Sequence, residues 1–365
     1  MNKKLLIISV TILISMLVVL GIDKLCKIKI NNINTDERIE EKKDYNSVKY
    51  NGWLKTNGSK LLNEKNEIIQ LHGLSSHGIE WFSDLITYNN LKTLKEDWSV
   101  NVFRVAMYTD CDGKGYIYTP NETKAKLYKI TDMAIDLDMY VIIDWHILND
   151  NNPQIHKDEA KKFFNEVSNK YKDVPNVLYE ICNEPNGDAM WEKDIKPYAE
   201  EIIPIIRNNS EKALIIVGTP DWCKKVNKVV DSPLNFENII YSCHFYSGSH
   251  GSDLRDRINY CISNNIPVFV SECGLTKANG DGKIYFEEFT KWVEYLNEKN
   301  ISWIYWSFSN KNESSAILLS NYGKEEEKND ENDGKQEDII ENLNEYLTET
   351  GKLVKGIFKR YSSLE

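Results

Sequence analysis

The sequence predicts an α/β protein built as one parallel eight-stranded barrel. Three observations carry that expectation. Eight short runs are almost continuously apolar, as strands covered on their outer face by helices should be. Most are separated by about 30 to 40 residues containing a helix-period segment, enough for a crossover between parallel strands. Polar or aromatic groups recur at the C-terminal ends of successive runs, where a parallel barrel gathers its functional side chains.

In chain order, Lys3 and Lys4 precede eighteen uncharged residues, Leu5 to Ile22, with only three Ser or Thr among them, before Asp23 and Lys24 end the run. Roughly 20 apolar residues cross a bilayer, and no small-residue cleavage site of the A-x-A kind follows. Residues 1–25 are therefore expected to act as a signal-anchor, with a cleaved signal peptide as the alternative. The protein should be extracytoplasmic, membrane-anchored or secreted. Residues 26–49, rich in Asn, Lys, Glu and Asp without apolar periodicity, read as a polar linker. A single folded domain is expected over 50–360. Its first segment, "LKTNGSKLLNEKNEII", carries turn signals at Asn57-Gly58 and over 63–66 and reads as a hairpin closing the barrel floor.

The eight strand-like runs are "IIQLHG" (68–73), "NVFRVAMY" (101–108), "YVIIDWH" (140–146), "NVLYEICNEP" (176–185), "ALIIVGT" (213–219), "NIIYSCHFY" (238–246), "IPVFVSECG" (266–274) and "ISWIYWSFS" (301–309). Segments such as "YFEEFTKWVEYLNEKN" between them have helical period. No second folded module is expected after the barrel.

Composition narrows the function. The chain has 365 residues, 41% of them apolar, enough for one large core. A net charge of −11, without a basic stripe interleaved with aromatics, excludes nucleic acid as a partner. The seven cysteines (26, 111, 182, 223, 243, 261, 273) are odd in number and never form C-x-x-C. They read as small buried hydrophobes rather than a disulfide framework or a zinc site. The acidic segment "GKEEEKNDENDGKQED" (323–338) would place Ile340 where a calcium loop needs its bidentate Glu, so it reads as a solvated loop, and neither a metal nor a cofactor is expected.

The stretch "LYEICNEPNG" sets the chemistry. Pro185 cannot donate to a sheet ladder and pushes the residue before it toward extended geometry, so Glu184 should sit at a strand's last position. Glu272, in "VFVSECG", ends a strand three further on and should face Glu184 across the mouth. Facing carboxylates over an open pocket suit glycoside hydrolysis, one protonating the leaving oxygen and the other attacking or activating water. Around them the strand ends supply Arg104, Tyr108, His146, Asn183, His244, Tyr246 and Trp306. Arg104 and Tyr246 should hold Glu272 ionised, and an apolar wall should raise the pKa of Glu184. Asn183 can donate to a sugar 2-hydroxyl. Trp81, Trp222 and Trp306 offer flat faces for pyranose rings, with plain core packing the competing reading for Trp222. Asp144 lies deeper on the face of His146, and Glu180 lies beneath Glu184, where it should be paired or turned aside.

The same residues carry a resemblance. "LYEICNEPNG", "HGLSSHGIEWF", "VFRVAMYTD", "YVIIDWHILNDNNP", "HFYSGSHGSDLRDRINYCI" and "ISWIYWSFSNKNESSAILL" resemble the bacterial endo-β-1,4-glucanases of glycoside hydrolase family 5, from about Gly52 to Lys355. The resemblance implies a (β/α)8 TIM barrel and a retaining double displacement, with Glu184 as acid/base and Glu272 as nucleophile. It implies that Arg104, His146, Asn183, His244, Tyr246 and Trp306 line the subsite of the attacked sugar. His77, Trp81, Tyr108, Trp222, Lys311 and Glu313 would contact its neighbours. The implied partner is a β-glucan polysaccharide, met by a monomer that touches membrane only through its N-terminal segment, with no cellulose-binding domain. Mannan, xylan or mixed-linkage glucan are alternative substrates, and a catalytically silent glycan-binding protein is the alternative class. Two positions depart from the pattern: Cys273 stands where relatives usually carry Trp, expected to point away from Glu272, and Cys182 where they carry Ala, expected beneath Glu184 in a barrel layer.

Overall fold

Strands form within the apolar runs, but the run over 176–185 keeps strand only over Val177–Glu180, so Glu184, expected at a strand's last position, lies four residues past the strand's end. The computed structural model describes residues 44–323 and 342–362. The expected signal-anchor (1–25), linker residues 26–43 and the acidic segment beyond Gly323 lie outside the described residues. Among the described residues no helix is long and apolar enough to cross a membrane.

The folded unit begins at Asn46 rather than at 50. The hydroxyl of Ser47 accepts from the Tyr50 amide at 3.1 Å and caps a one-turn helix, α1 (Val48–Asn51), whose Val48 is buried. A hairpin of β1 (Lys55–Asn57) and β2 (Lys60–Leu62) follows. Leu54, Leu61, Ile69 and Leu71 pack against the inward residues at the barrel's base, among them Val102, Ile142, Leu178 and Ile216, so this segment forms the floor.

The barrel strands are β3 (His72–Ser76), β4 (Val102–Tyr108), β5 (Tyr140–His146), β6 (Val177–Glu180), β7 (Ile215–Val217), β8 (Ile239–Tyr246), β9 (Val268–Gly274) and β10 (Trp303–Phe308). They pair in chain order, all parallel, and β10 closes on β3. The first strand corrects the expected 68–73. Ile68 and Ile69 are apolar because they pair with the hairpin, as the Leu62–Ile68 bridge and the Ile69 amide on the Leu61 carbonyl show.

Helices α2 (Ile79–Phe82), α3 (Tyr88–Trp98), α4 (Pro120–Asp136), α5 (Lys157–Lys170), α6 (Lys196–Asn209), α7 (Ser252–Ser263), α8 (Phe286–Lys299) and α9 (Glu349–Ser362) connect or follow the strands. In α8 the buried residues Phe289, Trp292, Val293 and Leu296 recur at helical spacing, and Trp292 stacks on Phe245 of β8 with centroids 4.0 Å apart. The helix stops where Asn300 turns left-handed, at φ 55°. Trp292→Ala would remove that contact at a cost of about 3–5 kcal/mol. Between β7 and β8 the crossover carries only a short 3₁₀ turn, Val226–Val229.

Alternation along the strands sorts side chains into an outer set facing the helices and an inner set stacked in layers. On β4, Phe103, Val105 and Met107 face out, while Val102 joins the floor and Ala106 and Tyr108 the mouth. One irregularity matters for the site. Between Ser242 and His244 of β8 the partner strand advances from Phe269 to Glu272, and between Trp303 and Tyr305 of β10 it advances from Val270 to Cys273. Both neighbours therefore register one extra residue in β9, a bulge that breaks the alternation. Consecutive residues Ser271 and Glu272 both turn toward the barrel axis, and Cys273 faces the outer core.

Candidate active site

The mouth is a cavity of about 530 Å³ at the C-terminal ends of the strands. Eleven sequence-predicted residues line it: His77, Tyr108, His146, Glu184, Trp222, His244, Tyr246, Glu272, Trp306, Lys311 and Glu313. Trp81 packs beside them, edge-on to Tyr108 at 5.2 Å. Two expected lining residues do not reach the cavity. Arg104 and Asn183 are fully buried behind the wall, because Arg104 lies mid-strand, two inward layers below Tyr108, and Asn183 is drawn in by its own hydrogen bonds.

Arg104 organises the layer beneath the mouth. Its Nε donates to Glu180 Oε2 at 2.7 Å, Nη1 to Glu272 Oε2 at 3.2 Å and to Ser75 Oγ at 3.2 Å, and Nη2 to Asn183 Oδ1 at 2.6 Å. Asp144 Oδ2 is 3.0 Å from Nη2. One guanidinium thus serves three buried carboxylates, an arrangement its planar fork of donors suits. Glu180 is accordingly paired. Asp144 Oδ2 accepts from His146 Nδ1 at 2.6 Å, which leaves Nε2 of a neutral imidazole to accept from Asn183 Nδ2 at 3.2 Å. The other amide proton of Asn183 goes to the Ile147 carbonyl at 3.1 Å.

The two facing carboxylates differ in surroundings. Glu272 accepts from Tyr246 Oη at 2.7 Å as well as from Arg104. Glu184 is joined to His244 Nδ1 at 2.8 Å. Burial, with Glu180 adding to it and Arg104 and Lys224 opposing, raises the Glu184 carboxyl to about 7. Glu272 is also raised, by burial and then by the charge of Glu184, against the pull of His244 and Arg104. The expected lowering of Glu272 is not seen, because burial pushes both carboxyls upward; the two differ instead in their hydrogen bonds, two donors on Glu272 and one imidazole on Glu184.

Aromatic rings pave the cavity. Trp306 stacks over His146 at 5.4 Å and tilts against His77 at 4.9 Å. Trp222 is 42% exposed, which rejects core packing for it. Asp221, Trp222 and Cys223 all have positive φ, an uncommon run for side chains with a Cβ. The Trp222 amide on Pro185 O at 3.1 Å, the Cys223 amide on Thr219 O at 3.1 Å and the Cys223 thiol on Asn183 O at 3.1 Å hold it. At the opposite side, Lys311 Nζ is 2.7 Å from Glu313 Oε2 and 3.3 Å from His77 Nε2.

The cavity also takes Leu148, Lys224, His250, Ala278, Asn279 and Gly280, which sequence reasoning missed. All six come from loops after the strands, where no period marks position. His250, four residues after Tyr246, was the most findable, since its Nδ1 accepts from the Tyr246 amide. Cys182 packs in the outer core with the helices, correcting its expected place in a barrel layer, and Cys111 is half-buried, not fully enclosed. No disulfide joins the six cysteines among the described residues.

Among the described residues, the acid and imidazole atoms of Glu184, His244 and Glu272 come within 4.8 Å of one another. Each is already committed to a protein partner: Glu184 and His244 are hydrogen-bonded to each other, and Glu272 accepts from Tyr246.

A parallel barrel with paired carboxylates at the C-terminal mouth defines a class of site, and comparison with known proteins places the chain within one family. The family model described as cellulase, glycosyl hydrolase family 5, matches residues 62–312. An endoglucanase of Clostridium saccharobutylicum is 49% identical over 274 residues, covering 75% of this chain and 61% of the relative. Endoglucanase A of Evansella cellulosilytica is 48% identical over 252 residues, covering 69% and 51%. Among solved structures, the catalytic domain of a Thermobifida fusca endoglucanase superimposes with a TM-score of 0.76 at 32% identity, covering 86% of this chain and 99% of that one. The chain belongs to glycosyl hydrolase family 5, the cellulase family. It spans between half and about two thirds of the length of these curated relatives.

Proposed function

We propose that the protein is a retaining, endo-acting β-1,4-glucanase acting on cellulose or related β-glucans, with Glu184 as acid/base and Glu272 as nucleophile. The observation that carries this reading is the pair itself. One carboxylate oxygen of Glu184 comes within 4.8 Å of one of Glu272, a closeness that suits a retaining pair, whose carboxyl groups sit roughly 5–5.5 Å apart, better than an inverting pair at roughly 6.5–9.5 Å.

In the first step an oxygen of Glu272 bonds to the anomeric carbon as the glycosidic bond breaks, and the Glu184 proton passes to the departing oxygen. In the second, the Glu184 carboxylate takes a proton from water, whose oxygen displaces Glu272 from the same carbon and restores the original configuration. Arg104 and Tyr246 aim Glu272, and Trp306 and Trp222 offer apolar faces to sugar rings.

Reducing-sugar release from carboxymethylcellulose, mixed-linkage glucan, mannan and xylan tests the reading. Highest turnover on the two glucans supports it; preference for mannan or xylan would reassign the substrate, and no turnover on any would favour a silent glycan-binding protein. Placement outside the cytoplasm is part of the proposal and is supported by Lys3, Lys4 and the uncharged run 5–22. Fractionation of cells expressing chains with and without residues 1–25 tests it; equal cytoplasmic recovery of both would contradict export.

A further inference from the structure

The hydrogen bonds behind Glu184 have a direction, and following it assigns work to Ser271. Glu180 Oε2 accepts from Arg104 Nε at 2.7 Å; burial pushes this carboxyl upward, and the always-charged guanidinium, opposing that push at hydrogen-bond distance, makes Glu180 the ionised end of the chain. Its other oxygen, Oε1, accepts from Ser271 Oγ at 2.6 Å, which uses the single hydroxyl proton of Ser271. Ser271 Oγ can then only accept from its other neighbours, Ser242 Oγ at 2.6 Å and His244 Nε2 at 3.0 Å. His244 therefore carries its proton on Nε2. Burial drives its pKa down to about 4, so the imidazole is neutral and Nδ1 is a bare lone pair. That lone pair faces Glu184 Oε1 at 2.8 Å, and the contact is a hydrogen bond only if the carboxyl carries the proton.

From this geometry we infer that Ser271, anchored on ionised Glu180, is a positioning residue that fixes the tautomer of His244 and thereby holds the proton on Glu184. The inference rests on Glu184 being the acid/base. It accounts for the β9 bulge, since without the extra residue Ser271 and Glu272 could not both point inward. It serves both steps: before cleavage the lone pair of Nδ1 retains the proton, and after the proton has gone to the leaving oxygen the same lone pair disfavours the carboxylate, making it a stronger base toward water.

Other groups act on Glu184 from every surrounding strand. Arg104 on β4 and Lys224 after β7 favour its ionised form, while Asp144 on β5, Glu180 on β6 and Glu272 on β9 oppose it. Tyr108, Tyr246 and Cys223 face it in their neutral forms. Among the described residues, His244 is the side chain hydrogen-bonded to its carboxyl, so it alone can distinguish the two forms by proton placement.

The test uses the full chain. In wild type, ¹⁵N-histidine NMR, with His244 assigned by loss of its signals in His244→Asn, should show Nε2 protonated and Nδ1 unprotonated at neutral pH. The reverse tautomer, or an imidazolium, overturns the inference whether or not the protein hydrolyses glucan, which keeps it separable from the functional reading. In Ser271→Ala the imidazole is free to place its proton on Nδ1 and donate it to an ionised Glu184. The alkaline limb of kcat/KM on carboxymethylcellulose should then move down by about one pH unit, roughly a tenfold loss above the limb, and Ser271→Thr should restore it. A Ser271→Ala profile that only scales, with its limb in place, contradicts the inference; if that variant does not fold, the wild-type tautomer decides alone.

Discussion

Tyr246 donates its phenolic proton to Glu272 Oε1 across 2.7 Å, while Arg104 donates to the other oxygen of the same carboxylate at 3.2 Å. The nucleophile candidate is thus held at both oxygens. Tyr246→Phe removes one charge-assisted bond, worth about 1.5–3 kcal/mol, so kcat should fall by about 10- to 10²-fold with little change in the unfolding midpoint. Steady-state kinetics and a thermal melt on one preparation check it.

Arg104 is the sole cation touching Asp144, Glu180 and Glu272 among the described ion pairs. Arg104→Met leaves those carboxylates buried without it, and loss of one partner of a buried pair costs about 3–5 kcal/mol. Urea unfolding should report a loss of at least that size; a loss below about 1 kcal/mol would show that the three carboxylates do not depend on Arg104.

Glu80 predicts a pH effect away from the chemistry. Its carboxyl oxygens are buried, and burial, opposed by the backbone amides of Glu80 and Tyr108, raises it from 4.5 to about 8. The folded protein holds a proton there that the unfolded chain releases between those values, so stability falls as pH rises through the window. Glu80→Gln should stabilise the protein progressively from pH 4.5 to 8, on the order of 1–3 kcal/mol at the upper end, with no further gain above it. Denaturant midpoints of the two proteins at pH 5 and pH 8 measure the difference.

Trp222 stands out from the wall on its left-handed turn, 42% exposed. If it stacks on a sugar beyond the cleavage point, Trp222→Ala should raise KM for long glucans about 5- to 50-fold, while kcat on a short activated glycoside barely changes. An equal fall in kcat for both substrates would place Trp222 with the reacting centre instead.

Most of the barrel was legible because buried parallel strands need unbroken apolar runs, and the run over 140–146 matches β5 residue for residue. The strand ends were legible because a His, Glu or Tyr closing such a run has nowhere apolar to go. What failed followed from the same rules. Ile68 and Ile69 are apolar for the sake of the floor, and a run cannot say which neighbour it pairs with. Arg104 sits two layers too deep to line the cavity, which only strand length above it reveals. The bulge in β9 is invisible to a period of two, so Ser271, one residue before Glu272, was passed over. Lys224 and His250 sit in loops whose path depends on contacts such as the Tyr246 amide on His250 Nδ1.

The assignment of separate roles to Glu184 and Glu272 is the centre of the account, and azide separates them. With an activated aryl β-glycoside, Glu184→Ala should still form the glycosyl-enzyme, show a burst, and stall for want of a base, about 10²- to 10⁴-fold slower overall. Azide needs no base, so it should restore turnover and give the β-glycosyl azide. Glu272→Ala forms no glycosyl-enzyme, and azide attacking from the vacated side should give the α-product. The same anomer from both variants, or no burst from Glu184→Ala, would contradict the assignment.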